Sequence, residues 1–170
     1  TQMAFHHSPK IVSDGLVFVL DAANIKIYSG TGTTVTDTIS GTSGTFTGAG
    51  FYDTTTFGTP VFAFDGSNDY VQHNENDVFS NQTSGSISVW FKTSYSGNYQ
   101  YLISSGDDST SNNVLGLAIQ SAAGNSVLYF YSQVSGTGYS VKGSTSVADG
   151  KWHHAVVVST GTAWKIYLDG

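Results

Sequence analysis

The sequence of 170 residues contains no cysteine, no arginine and a single glutamate. Without cysteine the chain has no disulfides, no thiolate metal ligands and no cysteine nucleophile. Its six lysines stand against twelve acidic residues, which gives a net charge of −6. This charge repels polyanions, and no guanidinium group is present to pair with phosphate, so we expect no nucleic-acid partner.

Long apolar runs are also absent. The longest, Leu16–Leu20, has five residues, whereas a membrane-spanning helix needs about 18 or more. The first ten residues lack the apolar segment of a secretory signal. We therefore expect no membrane partner and no export signal.

Small hydroxylated and aromatic residues are abundant instead. Glycine, serine and threonine supply 64 of the 170 positions, and aromatic residues make up 14%. This composition favours strands and turns over helices. Short apolar stretches alternate with Gly, Ser, Asn and Asp clusters, and they predict strands at 16–20, 61–64, 70–73, 87–91, 100–104, 114–119, 127–131, 138–141, 152–158 and 162–168.

Many short antiparallel strands at this spacing predict an all-β sandwich or jelly roll. The only helical candidate is a single capped turn at Asp21–Asn24. We expect an N-terminal arm over 1–13 and one β-sandwich domain over 14–170, in which 29–60 forms long loops with one or two short strands. The predicted core is Leu16, Phe18, Leu20, Phe62, Phe64, Ile87, Val89, Phe91, Leu102, Leu115, Leu117, Leu128, Phe130, Trp152, Val156, Val158, Ile166 and Leu168.

Four segments resemble, in order and in spacing, successive strands of the LamG-like domains of the concanavalin A-like lectin and glucanase superfamily. They are 86–91 (SISVWF), 101–106 (YLISSG), 149–158 (DGKWHHAVVV) and 164–170 (WKIYLDG). Residues 64–71 (FDGSNDYV) resemble the early hairpin of that family, so the likeness spans 14–170. The opening, 3–12 (MAFHHSPKIV), is similar to the start of LamG-like structural proteins encoded by marine tailed phages.

The resemblance implies a jelly roll in which further strands follow the last one predicted here. The final pair, Asp169-Gly170, is a turn signal that normally leads into a returning strand. We therefore expect the sandwich to be incomplete at its C-terminal end, and to be finished by a longer natural chain or by a neighbouring subunit.

Three tyrosines near the turn at 94–98 are candidates for binding carbohydrate: Tyr95, Tyr99 and Tyr101. An aromatic ring combines an apolar face with a polar tip, which suits stacking on a sugar ring. The alternative is that they are rim residues of the sandwich.

A calcium site is a second candidate, because Ca²⁺ takes six to eight oxygen ligands. The loop 106–113 supplies Asp107, Asp108, Asn112 and Asn113. In the pentraxin relatives of this fold an Asp-Asn pair in the corresponding place ligates calcium, and Asn112-Asn113 is similar in position but carries one charge fewer. A solvated polar loop is the alternative.

Catalysis is not expected. Glycosidases use two carboxylates roughly 5–5.5 Å apart or roughly 6.5–9.5 Å apart, and the glucanase motif spaces Glu, Asp and Glu along one strand. Here Glu75 is the only glutamate, and it lies with Asp77 in a segment typical of a loop. An unfamiliar pair such as Asp107 and Asp108 is the remaining alternative. His153 and His154 point to opposite faces of a strand, so they cannot hold one metal ion together.

These observations lead to two hypotheses. The first is a non-enzymatic structural or decoration module of a tailed-phage virion, which contacts other virion proteins or copies of itself and binds host-surface glycans. The alternative is an extracellular carbohydrate-binding or adhesion domain of a larger secreted protein or enzyme.

Overall fold

A computed structural model gives the structure of the chain. It describes residues 12–48, 51–53, 58–73, 84–107, 110–122 and 124–170, without the side chains of 51–53, 107, 110–112 and 122. Within these ranges all regular structure is β, as predicted, and no helix long and apolar enough to cross a membrane is present. The strands are β1 Thr34–Thr36, β2 Ser43–Thr47, β3 Phe51–Asp53, β4 Val61–Ala63, β5 Tyr70–Gln72, β6 Gly85–Lys92, β7 Gln100–Asp107, β8 Thr110–Ala122, β9 Asn125–Val134, β10 Thr137–Ser146, β11 Trp152–Ser159 and β12 Trp164–Leu168.

The chain divides into two compact units, Thr1–Val78 and Phe79–Gly170. The first contains a three-stranded antiparallel sheet in the order β1-β2-β5 and the two-stranded pair β3-β4. Its core is formed by buried Ile27, Tyr28, Val35 and Phe46. The single domain expected over 14–170 stays a prediction.

A buried carboxylate organises the loops of the first unit. Asp37 is fully buried and accepts hydrogen bonds from the N–H groups of Val19, Ile39 and Ser40 and from the Ser40 hydroxyl, at 2.7–3.1 Å. Burial acts to raise the pKa of Asp37, but the hydrogen bonds outweigh it and hold this pKa below its usual value. Leu16–Leu20 was predicted to be a strand, but it joins no sheet. The bond from Val19 explains the difference, because this backbone amide donates to the Asp37 side chain rather than to a neighbouring strand.

The second unit is an antiparallel β-sandwich. One sheet has four strands in the order β10-β9-β8-β7, and the other has three in the order β12-β11-β6. The buried side chains between them come from both sheets: Phe91, Ala155 and Val157 from the three-stranded sheet, and Leu117, Ile119, Leu128 and Phe130 from the four-stranded sheet. The sandwich class predicted from the sequence is confirmed.

The predicted core placed Trp152, Val156 and Val158 of β11 between the sheets, and this prediction is wrong. Trp152 is 41% exposed and Val156 and Val158 are half-buried, whereas Ala155 and Val157 are fully buried. Apolar residues occupy both sides of this strand, so alternation alone does not show which side faces the core. Phe64, also predicted in the core, is exposed as well.

His153 faces the core in place of the predicted Trp152. His153 is buried, and its two ring nitrogens lie 2.9 Å from a carboxylate oxygen of Asp169 and 3.0 Å from one of Asp149. Ionised carboxylates only accept, so both bonds form when both ring nitrogens are protonated, which is the imidazolium form of His153. Burial lowers the pKa of His153, but the bonds to Asp169 and Asp149 outweigh this effect and raise it above 6.5.

Candidate functional site

Four tyrosines lie on the outer face of the four-stranded sheet. Tyr101 on β7 and Tyr129 on β9 both pair with Ala118 on β8, and Tyr131 pairs with Gly116. Directly paired residues share a face, and these positions alternate with the core residues Leu117, Leu128 and Phe130. Tyr99, just before β7, completes the group, which we call the tyrosine platform.

The rings of the tyrosine platform contact one another. Tyr99 and Tyr101 are stacked, with centroids 6.1 Å apart and an angle of 14° between their planes. Tyr129 and Tyr131 are stacked at 5.9 Å and 22°, and Tyr99 meets Tyr129 edge to face at 6.0 Å. Mutual contact restricts each ring, so the group presents a preformed aromatic surface.

The small residues of β8 make this arrangement possible. A Cβ atom on Gly116 would lie 2.5 Å from the ring of Tyr131, so the ring occupies the space above the glycine. Ala118, between Tyr101 and Tyr129, is completely covered. The small side chains of β8 therefore leave space that tyrosine rings from β7 and β9 occupy.

Hydrogen bonds engage the hydroxyl groups of Tyr99, Tyr101 and Tyr131 in the tyrosine platform. The side-chain amide of Gln120 donates to the Tyr99 hydroxyl. Burial, a hydrogen bond to Tyr101 and the neighbouring phenols raise the pKa of Tyr131 above 10. Tyr131 therefore stays a neutral phenol at physiological pH, able both to donate and to accept.

Two of the three predicted carbohydrate-binding residues belong to this site. Tyr99 and Tyr101 are 46% and 56% exposed, while Tyr95 lies on the loop between β6 and β7 with its ring against Gly97. Within the described ranges, no ring contact joins Tyr95 to the tyrosine platform. Sequence reasoning missed Tyr129 and Tyr131, although the alternation with Leu128 and Phe130 already indicates that they face outward.

The predicted calcium loop is described only in part. Asp108 and the side chains of Asp107 and Asn112 lie outside the described residues, as do Glu75 and Asp77 of the carboxylate pair considered for catalysis. Asn113 is exposed, and its amide oxygen accepts a hydrogen bond from the N–H of Ser135 at 3.0 Å. Elsewhere in the described ranges, no group of three His, Asp or Glu side chains has the arrangement of a metal site.

The histidine clamp, defined as Asp149, His153 and Asp169, is structural in its chemistry. In the imidazolium form both nitrogens of His153 carry protons and are engaged, so the ring has no lone pair for a metal or for proton abstraction. Asp169 also accepts a hydrogen bond from the backbone N–H of His154 at 2.8 Å. Through the clamp, Asp169 after β12 and Asp149 in the loop before β11 both bond to the buried ring of His153. The two histidines face opposite sides of β11, as predicted, and His154 stacks on Trp90.

Comparison with known proteins identifies the family. Neither the curated proteins nor the solved structures contain a match to this chain. The family model described as the concanavalin A-like lectin/glucanases superfamily matches residues 65–170, which is more than half of the chain and includes both sheets of the second unit. The chain belongs to the concanavalin A-like lectin/glucanases superfamily.

Proposed function

We propose that the protein is a non-catalytic carbohydrate-binding module and that the tyrosine platform is its binding surface. The observation that carries the proposal is the group of four contacting tyrosine rings on one open sheet face. Membership of a lectin and glucanase superfamily is consistent with carbohydrate binding or adhesion.

The chemistry of the tyrosine platform suits a neutral sugar chain. Ring faces contact the apolar C–H surface of a pyranose, and the phenol and amide groups of Tyr101, Tyr131 and Gln120 exchange hydrogen bonds with its hydroxyls. Preformed ring contacts reduce the conformational entropy lost on binding. Asp149 and Asp169 are both bonded to His153 and are therefore not available as a catalytic carboxylate pair, which supports a binding role rather than catalysis.

A glycan array followed by calorimetry tests the proposal. We expect Tyr101→Ala and Tyr129→Ala to weaken binding of the best array ligand at least about tenfold, which corresponds to about 1.4 kcal/mol. Tyr95→Ala is the matched control, because it removes an exposed tyrosine outside the tyrosine platform. Equal losses in all three variants, or no binding to any glycan, would contradict the assignment.

We propose further that the module works on a virion, with an extracellular protein as the alternative. The support is the similarity of 3–12 to the opening of phage structural proteins, and residues 3–11 lie outside the described residues. Its partners would be other virion proteins or copies of itself. Mass spectrometry of purified virions tests this placement, and absence of the polypeptide from the particles would refute it.

Calcium binding at the loop with Asp107, Asp108, Asn112 and Asn113 is a separate proposal. The support is the number of oxygen ligands in one short loop. A ligand that binds only the folded state raises the unfolding temperature. We expect CaCl₂ but not MgCl₂ to raise it, and Asp108→Asn to remove the shift; equal effects of the two salts would exclude a specific site.

A further inference from the structure

The outer face of the three-stranded sheet carries a second aromatic surface, separate from the tyrosine platform. Trp90 is 65% exposed, and Trp152 and Tyr167 are also exposed. Strand pairing places them on one side together with His154 and Lys165: Trp90 is opposite His154, and Tyr167 is opposite Val156. We call these five side chains the tryptophan face.

Trp90 is held in place from one side. Its indole stacks on the imidazole of His154, with centroids 4.7 Å apart and 18° between the planes. The imidazole is fixed in turn by a hydrogen bond of 2.8 Å between its Nε2 and the Ser88 hydroxyl. One surface of the indole is therefore supported by protein, and its high exposure shows that the other is open to a ligand.

Lysines flank the aromatic residues at both ends of the sheet. Lys92 is opposite Trp152, and Lys165 is opposite Val158. Trp152 and Val158 are six residues apart on β11, so the two rows lie about 20 Å apart along the strand. This distance suits an extended ligand lying along the strand.

The three strands that form this face carry positive charge, although the chain is acidic overall. Residues 79–170 contain four lysines and four aspartates, whereas residues 1–78 contain two lysines and eight acidic residues. None of the four aspartates belongs to β6, β11 or β12, and Asp149 and Asp169 are bonded to His153 on the inward side of β11. Among the residues that the structure describes, the strands of this sheet contribute two outward lysines and no carboxylate to this face.

We propose that the tryptophan face binds an acidic polysaccharide, a sugar chain that carries carboxylates. The open indole stacks on a pyranose ring, and exposed Lys165 pairs with a carboxylate of the sugar chain. The tyrosine platform belongs to the other sheet, so the two sites are independent.

Oligogalacturonate and its methyl ester are a matched pair of probes, because they share the same rings and differ only in charge. Binding is followed by calorimetry and by tryptophan fluorescence at low salt. We expect oligogalacturonate to bind, the methyl ester to bind at least about fivefold more weakly, and the difference to shrink as NaCl rises from about 0.05 M to about 0.5 M.

Two variants locate the site. Trp90→Ala should weaken oligogalacturonate binding about fivefold or more, and Lys165→Gln about threefold. Both side chains are exposed, so neither change leaves a cavity, and unchanged urea midpoints would verify the fold. Lys142→Gln and Tyr101→Ala on the other sheet are the controls and should leave this binding unchanged.

Several outcomes would overturn the proposal without affecting the tyrosine platform. They are equal affinity for the acid and its methyl ester, loss of binding in Tyr101→Ala but not in Trp90→Ala, and absence of binding to oligogalacturonate while neutral glycans still bind. Self-association in sedimentation velocity that Trp90→Ala abolishes would show that a second copy covers this face, and would also overturn it. Failure of the tyrosine platform alone would appear as neutral-glycan binding that Tyr101→Ala leaves intact.

Discussion

The orientation of β11 can be tested with two adjacent valines. Val157 is fully buried between the sheets, while Val156 is half-buried on the outer face. Replacing Val157 by Ala removes two buried carbon atoms, which costs about 1.6 kcal/mol in transfer free energy. The cavity left behind raises the total to about 2–3 kcal/mol. Val156→Ala leaves no enclosed cavity, so its cost should stay below about 1 kcal/mol.

Tryptophan fluorescence is well suited to this measurement. All three tryptophans, Trp90, Trp152 and Trp164, lie in residues 79–170, so the signal reports the unfolding of the β-sandwich unit alone. With a urea dependence of about 1–3 kcal/mol per molar, Val157→Ala should lower the urea midpoint by about 1 M, and Val156→Ala by much less.

The comparison has a clear contrary result. If Val156→Ala costs as much as Val157→Ala or more, the inward side of β11 is the one the sequence indicated, with Trp152 in the core. Trp152→Ala gives an independent check, since a buried tryptophan would cost about 3–5 kcal/mol. Its partial exposure predicts a smaller loss.

Five further perturbations test the clamp, the loops, the tyrosine platform and a buried serine. Removing the imidazolium with His153→Leu should lower the urea midpoint, because it deletes two charge-assisted bonds to carboxylates that are 38% and 49% exposed. In the wild type, urea midpoints should fall above pH 6.5 as His153 passes its raised pKa, and below pH 3.8 as Asp149 and Asp169 pass their lowered pKa values; a flat profile would contradict the clamp. Asp37→Ala should abolish hydrogen-exchange protection at the amides of Val19, Ile39 and Ser40, and retained protection would refute this role. In the wild type, the contribution of Asp37 to stability should be present above pH 3.8 and disappear as pH falls through its lowered pKa. Gly116→Ala should displace the ring of Tyr131 and weaken neutral-glycan binding, whereas Gly138→Ala, with no atom within 4 Å of its added Cβ, should not. Ser126→Ala should raise stability by about 1 kcal/mol, because the buried hydroxyl has no hydrogen-bond partner among the described residues; a loss would point to a bond that it makes.

The sequence predicts strands best where alternation is strict. In β6, Ile87, Val89 and Phe91 alternate with Ser88 and Trp90, and the structure places the first set toward the core and the second outward, as expected. In β11 both sides are apolar, and the choice depends on His153. A histidine is accepted inside only because Asp149 and Asp169 reach its two nitrogens, and that pairing is a property of the folded chain rather than of the local sequence.

Only half of the candidate site could be predicted from the sequence, for a similar reason. Tyr99 and Tyr101 are neighbours in sequence, so a local pattern identifies them, but Tyr129 and Tyr131 join them only through the pairing of both strands with β8. A shift of one residue in either register would turn one pair of tyrosines toward the core. The same pairing requires small residues at Gly116 and Ala118, because a larger side chain would occupy the space of the rings. The tyrosines and the small residues between them therefore depend on one strand register. A binding surface of this kind can be sought in a sequence as aromatic residues on two strands, with small residues at the paired positions of the strand between them.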